Sequence, residues 1–160
     1  MKIESIELEF PEGCNIILGQ SHFIKTVEDL YECIVTNVPS VKFGLAFSEA
    51  SGPCLIRYDG NDKEAIDYCC KNLEMLKSGH CFMIILRDTF PINFLNSIKN
   101  IAEVCSIYCA TANPVSVIVA RLDNQSAILG VADGFHPKGI EGEQDKQIRH
   151  KFLRDIGYKR

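Results

Sequence analysis

Apolar residues recur with the strand period of two in some segments and the helical period of 3.6 in others, which predicts a mixed α/β (α+β) fold. Three observations carry that expectation. Cys81 to Leu86 is apolar at six consecutive positions, the mark of a central strand covered on both faces. The stripes Val27, Leu30, Tyr31, Ile34, Val38 and Ala65, Ile66, Cys69, Cys70, Leu73, Leu76 fit amphipathic helices. Short strand-like runs bounded by Gly, Pro, Asn and Asp fill most of the remainder. The expectation is one domain over residues 1–160, with a large mixed sheet flanked by about four helices.

In chain order, residues 2–10 and 14–19 read as strands joined by Pro11-Glu12-Gly13, an opening hairpin. A helix follows over 26–37, where Thr26 and Asp29 have the spacing of a capping box. Strands at 42–47 and 54–59 flank the Gly52-Pro53 break as a second hairpin. The next helix has Asn61 or Asp62 as its cap and stops at Ser78-Gly79. The apolar strand 81–86 is expected mid-sheet, and Pro91 opens a helix to 103. Strands at 105–110, 115–121 and 126–132 precede a last helix over 143–156, whose acids come first and bases later, complementing its dipole.

Composition narrows the function classes. The chain of 160 residues carries 17 Lys plus Arg against 21 Asp plus Glu, a net charge of -4. With no run of bases longer than two, it lacks the clustered cations that a nucleic-acid partner requires. The longest apolar run falls far short of the roughly 20 residues that span a bilayer, so no membrane partner is expected. The alternating start MKIESIELEF lacks the apolar centre of a secretion signal, and a cytoplasmic location is expected. The eight cysteines are read as thiols: Cys14, Cys33, Cys54, Cys81, Cys105 and Cys109 lie in apolar stretches, Cys69 and Cys70 are adjacent on a helix, and no C-x-x-C pair occurs. No metal site is expected.

The most informative loop is Gly19-Gln20-Ser21-His22-Phe23-Ile24-Lys25-Thr26, between a strand and a helix start. Its spacing approaches the phosphate-wrapping G-x-x-x-x-G-K-[ST] loop, but Ile24 stands where the second glycine must bend. What survives is a helix N-terminus with free N–H donors, Lys25 beside it, and Ser21 and His22 in the approach. His22 is the loop's only side chain able to act as a nitrogen nucleophile or proton carrier near neutral pH. A histidine that merely hydrogen-bonds its loop fits the spacing equally. Polar groups also gather at other strand ends, where ligands collect: Glu49, Arg87 with Asp88, Asn93 with Asn96, Asn113, and Asp133. Asp88 reads as a binding group or as the cap of the helix at Pro91. His80, leading the buried strand, reads first as a core histidine.

With these residues in hand, the chain resembles the adenosine-specific kinase family almost end to end. The resemblance rests on GQSHFIKTVEDLYE at 19–32, KFGLAFSEASGP at 42–53, LIRYDGND at 55–62, LRDTFPINFLNSIKN at 86–100, ATANPVSVIVA at 110–120 and GVADGFHPKG at 130–139. It implies a mixed α/β domain, a homotrimer, an adenosine or AMP ligand, and phosphotransferase chemistry through a phosphohistidine. On these positions it implies His22 as phosphate acceptor, with His80 as the other candidate. Gly19, Ser21, Lys25 and Thr26 become the phosphate ligands, and Glu49, Arg87, Asn93, Asn113 and Asp133 the nucleoside contacts. Asp88, Glu49 or Asp133 is the base for the ribose hydroxyl. His136 stands where the family pattern has Ser, which argues against a catalytic role for it. The resemblance leaves the phosphate donor open, and an ATP-linked step would normally bring magnesium. A non-catalytic adenosine or AMP sensor is the alternative reading, since no intact P-loop is present.

Overall fold

The computed structural model describes Met1–Arg160. Its strands are β1 (Lys2–Glu7), β2 (Cys14–Ser21), β3 (Lys42–Ser48), β4 (Ile56–Gly60), β5 (Cys81–Arg87), β6 (Val104–Thr111), β7 (Val115–Arg121) and β8 (Ser126–Asp133). The helices are α1 (Thr26–Asn37), α2 (Lys63–Leu76), α3 (Leu95–Lys99) and α4 (Glu143–Asp155). The mixed α+β class holds, but the strands form two sheets in place of one, and every pairing is antiparallel. The larger sheet runs β4-β3-β5-β2-β6 and the smaller β1-β7-β8.

Strand alternation divides the core into two layers. Cys81, Met83 and Ile85 of β5, with Ile16 and Leu18 of β2, face α2 and the small sheet, against Leu73, Val117 and Val119. Phe82, Ile84 and Leu86, with Ile17, face α1 and α3, against Leu30, Ile34 and Ile98. β5 is the middle strand and its residues from Cys81 to Leu86 are buried, as the apolar run predicts.

The expected opening hairpin does not form. Pro11–Gly13 does turn the chain, with Cys14 N–H donating to Pro11 O at 3.2 Å, but β1 pairs with β7 along its whole length. Asn72, fully buried on α2, accepts from Glu9 N–H at 2.9 Å and donates to Glu9 O at 2.6 Å, holding the divergent segment. The β3–β4 hairpin and the Asp62 cap, which accepts from Ala65 N–H at 3.2 Å, follow expectation. The helix expected over 91–103 is a 3-10 turn, Pro91–Asn93, followed only by the short α3. Cys54 and Cys105 are exposed, contrary to the core reading, while Cys14, Cys69, Cys81 and Cys109 are buried thiols.

On β3 the face toward α2 carries Gly44 and Ala46 at its centre, and this lets the helix approach closely. A Cβ on Gly44 would lie 2.2 Å from Ile66 N and 2.4 Å from Ala65 C, backbone atoms that cannot rotate aside. Gly44→Ala should therefore push α2 off the sheet and destabilise the fold by about 1–3 kcal/mol, read as a lower urea midpoint. An unchanged midpoint would show that the helix has room to shift.

Candidate functional site

Antiparallel pairing brings five strand ends together at one end of the large sheet. Glu103 leads into β6, Ser21 ends β2, His80 precedes β5, Ser48 ends β3, and Arg57 lies near the start of β4. Backbone hydrogen bonds sew them into one rim: His22 N–H to Glu103 O (3.0 Å), Ser21 N–H to His80 O (2.9 Å), His80 N–H to Ser48 O (2.8 Å) and Glu49 N–H to Leu55 O (3.0 Å).

His22 projects from this rim as an exposed ring beside Phe23, with ring centroids 6.3 Å apart. The N–H groups of Phe23, Ile24 and Lys25, at the helix cap and just before it, have no carbonyl partner in the chain. The predicted capping box is absent. Lys25 holds the cap position without a side-chain bond, and Thr26 turns its hydroxyl inward to Ser21 Oγ (2.6 Å) and to Phe23 O. Ser21 also donates to Glu103 O at 3.0 Å, so both hydroxyls are buried braces of the loop instead of free phosphate ligands. Gly19 is not in the loop either. It lies within β2, and a Cβ there would meet the Phe82 ring at 2.3 Å.

Beneath the loop lies Glu103, which the sequence reading passed over. The residue is 1% exposed and neither carboxyl oxygen has a hydrogen-bond partner. Lys25 Nζ stands 3.8 Å from it and 2.9 Å from Asp29. Burial, and then the neighbouring Asp29, push the Glu103 carboxyl above its usual range, while Lys25 lowers that of Asp29. The one legible signal was a lone acid set between the apolar ends of two elements.

Of the other predicted residues, Glu49 lies on this rim. Its carboxylate accepts from Leu55 N–H at 3.1 Å and from Arg57 at 3.1 Å, and these hold it below the usual carboxylate range. His80 is half-buried, stacked on Phe47 at 6.1 Å, with a left-handed φ of 60°.

The remaining five belong to the opposite end of the sheet. Arg87 ends β5, held by Asp62 (2.8 Å) and Glu64 (2.9 Å). Asp88 is exposed with a left-handed φ of 54° and caps no helix, because Phe90 occupies that position. Asn93 bonds Thr89 and Tyr158, while Asn113 bonds Asp133 at 3.4 Å. The seven residues of β5 separate this cluster from His22 by roughly 20 Å within one chain, too far to share one nucleoside. The expected single constellation is thus two.

Two clefts border the rim. One of about 560 Å³ lies between the β3–β4 connection, the end of α2 and the β7–β8 turn. Another of about 420 Å³ lies between Ile24 and Val27 on one side and Ile56 to Asp59 on the other. No helix is long and apolar enough to cross a membrane.

A family model described as "Adenosine specific kinase" matches residues 6–159. The chain belongs to that family. No curated protein matches it. Among solved structures it is similar to the PH1918 protein from Pyrococcus horikoshii OT3, at 44% identity and a TM-score of 0.93, over 99% of this chain and 98% of that one. The family's description is that of an adenosine-specific kinase.

Glu103 makes a testable contribution. The folded state holds it more protonated than the unfolded chain, so its stabilising contribution is full below the ordinary value of 4.5 and is lost as pH rises through the higher folded value. Asp29, lowered from its ordinary 3.8 by Lys25 and in part by Glu103 itself, has the opposite slope, which lies below that value and outside the range compared. The melting temperature of Glu103→Gln relative to the parent should climb as pH rises above 4.5. A flat difference would mean that Glu103 titrates normally.

Proposed function

We propose that the chain is an adenosine/AMP-binding phosphotransferase in which His22 carries the phosphoryl group. The observation that supports this most is the loop itself: an accessible imidazole beside three unpaired N–H groups and Lys25, on a rim braced by buried hydroxyls. A phosphoimidazole carries about two negative charges, and free N–H donors with an ammonium are the groups that offset them.

In this reading a nucleotide donor's terminal P–O bond breaks as an N–P bond forms on His22, and the ring's second nitrogen releases its proton. The adenosine hydroxyl oxygen then takes the phosphoryl group, the N–P bond breaks, and the imidazole recovers a proton. Of Glu49, Asp88 and Asp133, Glu49 is the acid on the same rim, where its ionised carboxylate orients the attacking hydroxyl. Asp88 and Asp133 have no part in this intrachain scheme. Glu49 is committed to Arg57 and Glu103 is buried, so a magnesium ion fits best as a companion of the donor's phosphates. His80 remains a positioning residue here, since Phe47 covers its face. The eight free thiols suit a reducing, cytoplasmic setting.

The test is intact-mass analysis after incubation with ATP and adenosine, with peptide mapping. An acid-labile phosphate on His22 is expected, abolished in His22→Asn and retained in His80→Asn. The reverse pattern would move the carrier to His80, and adenosine binding without any phosphate would leave a sensor.

The homotrimer belongs to the same proposal. Helix α4 has no buried residue, and Ile148 and Phe152 are 61% and 54% exposed, an apolar face with no cover in a single chain. Light scattering should give the mass of three chains, falling to one in Ile148→Asp/Phe152→Asp. A monomeric parent would refute the assembly.

A further inference from the structure

The larger cleft has walls that are locked before any ligand arrives. Arg121 donates to the last carbonyls of α2, at Leu76 and at Met75 (2.7 Å), and to Ser126 Oγ at 2.9 Å, pinning the helix end to the β7–β8 hairpin. On the opposite wall the Gly79 and Ala50 backbones meet so closely that a Cβ on Gly79 would sit 2.8 Å from Ala50 Cβ. Its volume of about 560 Å³ falls within the range of small-ligand sites. Leu73 and Ile56 contribute apolar surface.

Four polar side chains line this cleft and are exposed: Glu74, Lys77, Asn124 and Gln125. None of them takes part in a side-chain hydrogen bond or ion pair of the chain, whereas Glu49 and Ser126 nearby are fully engaged. A primary amide offers a donor and an acceptor side by side, the pattern that matches the amino group and ring nitrogen of adenine. A carboxylate accepts from vicinal hydroxyls, and an ammonium compensates a phosphate.

The cleft also lies in register with the rim. Ser48, on its wall, is bonded to His80, and His80 to Ser21, so two strand spacings, roughly 10 Å, separate its edge from the His22 loop. A ligand with its base on the hairpin turn and its sugar against the Ser48 wall would have its sugar on the side of that loop.

We propose that this cleft is the nucleoside seat, with the Asn124 and Gln125 amides reading the adenine edge and Glu74 the ribose hydroxyls. The inference rests on the phosphotransferase reading above and assigns where its acceptor binds. Calorimetric titration of adenosine into the full chain tests it, with Ala127→Trp to fill the cleft and Gln125→Ala and Glu74→Gln to remove contacts. The parent should bind one adenosine per chain. Ala127→Trp should abolish the binding, and each of the other two should weaken it about tenfold. Melting curves establish that each variant is folded, and the two contact variants decide the matter if the tryptophan does not fold. Parent-like affinity in the folded variants would overturn the seat and leave the phosphotransferase reading intact. No adenosine binding by the parent would overturn both.

Discussion

The double-sided burial of β5 and β2 is the constraint from which the rest follows. Phe82, Ile84 and Leu86 lie against one layer and Cys81, Met83 and Ile85 against the other, so no polar side chain has a place along β5 before Arg87. Chemistry is exported to the strand ends. Because every pairing is antiparallel, each end collects starts and finishes of different strands, and residues as distant in sequence as Ser21, Ser48, His80 and Glu103 become neighbours. The same geometry separates them from Arg87, Asp88 and Asp133, which belong to the far end.

Much of this was legible from periodicity, because burial on one face or two writes directly into the apolar pattern. The central strand, the β3–β4 hairpin, α1 and α2 read correctly for that reason, and α4, which buries nothing, was read from its order of charges. What did not read was non-local. Pro11–Gly13 is a true turn, but a turn signal does not name the partner strand, and β1 found β7 through pairing across more than a hundred residues. The grouping of the loops was hidden in the same way: each loop was at a strand end, but the sequence does not say which end until the strand order is known. Asn72 and Glu103 escaped notice because a buried polar residue looks in sequence like any solvated one.

The loop before α1 is stiffened at the expense of its own ligands. Ser21 and Thr26 spend their hydroxyls on each other and on backbone carbonyls, fixing the chain path and leaving His22, Lys25 and the unpaired N–H groups as the loop's remaining polar groups. Lys25 in turn answers to two acids, Asp29 and the buried Glu103. An arriving phosphoryl group competes with both for one ammonium. Burial and the neighbouring Asp29 raise the Glu103 carboxyl, so its claim on the lysine charge is the weaker of the two.

Ile24 sets the proposed phosphate loop apart from a P-loop. In a P-loop the second glycine lets the backbone close around the phosphates from several sides, and tight retention follows. Here Ile24 is 47% exposed and forms a wall of the smaller cleft opposite Ile56 and Tyr58, so the loop opens toward solvent and an apolar surface. A phosphoryl group held from one side, by three N–H groups and one shared lysine, is stabilised without being enclosed. Such a group can be received from a large donor and released to a second substrate across the rim, a geometry better suited to transfer than to storage.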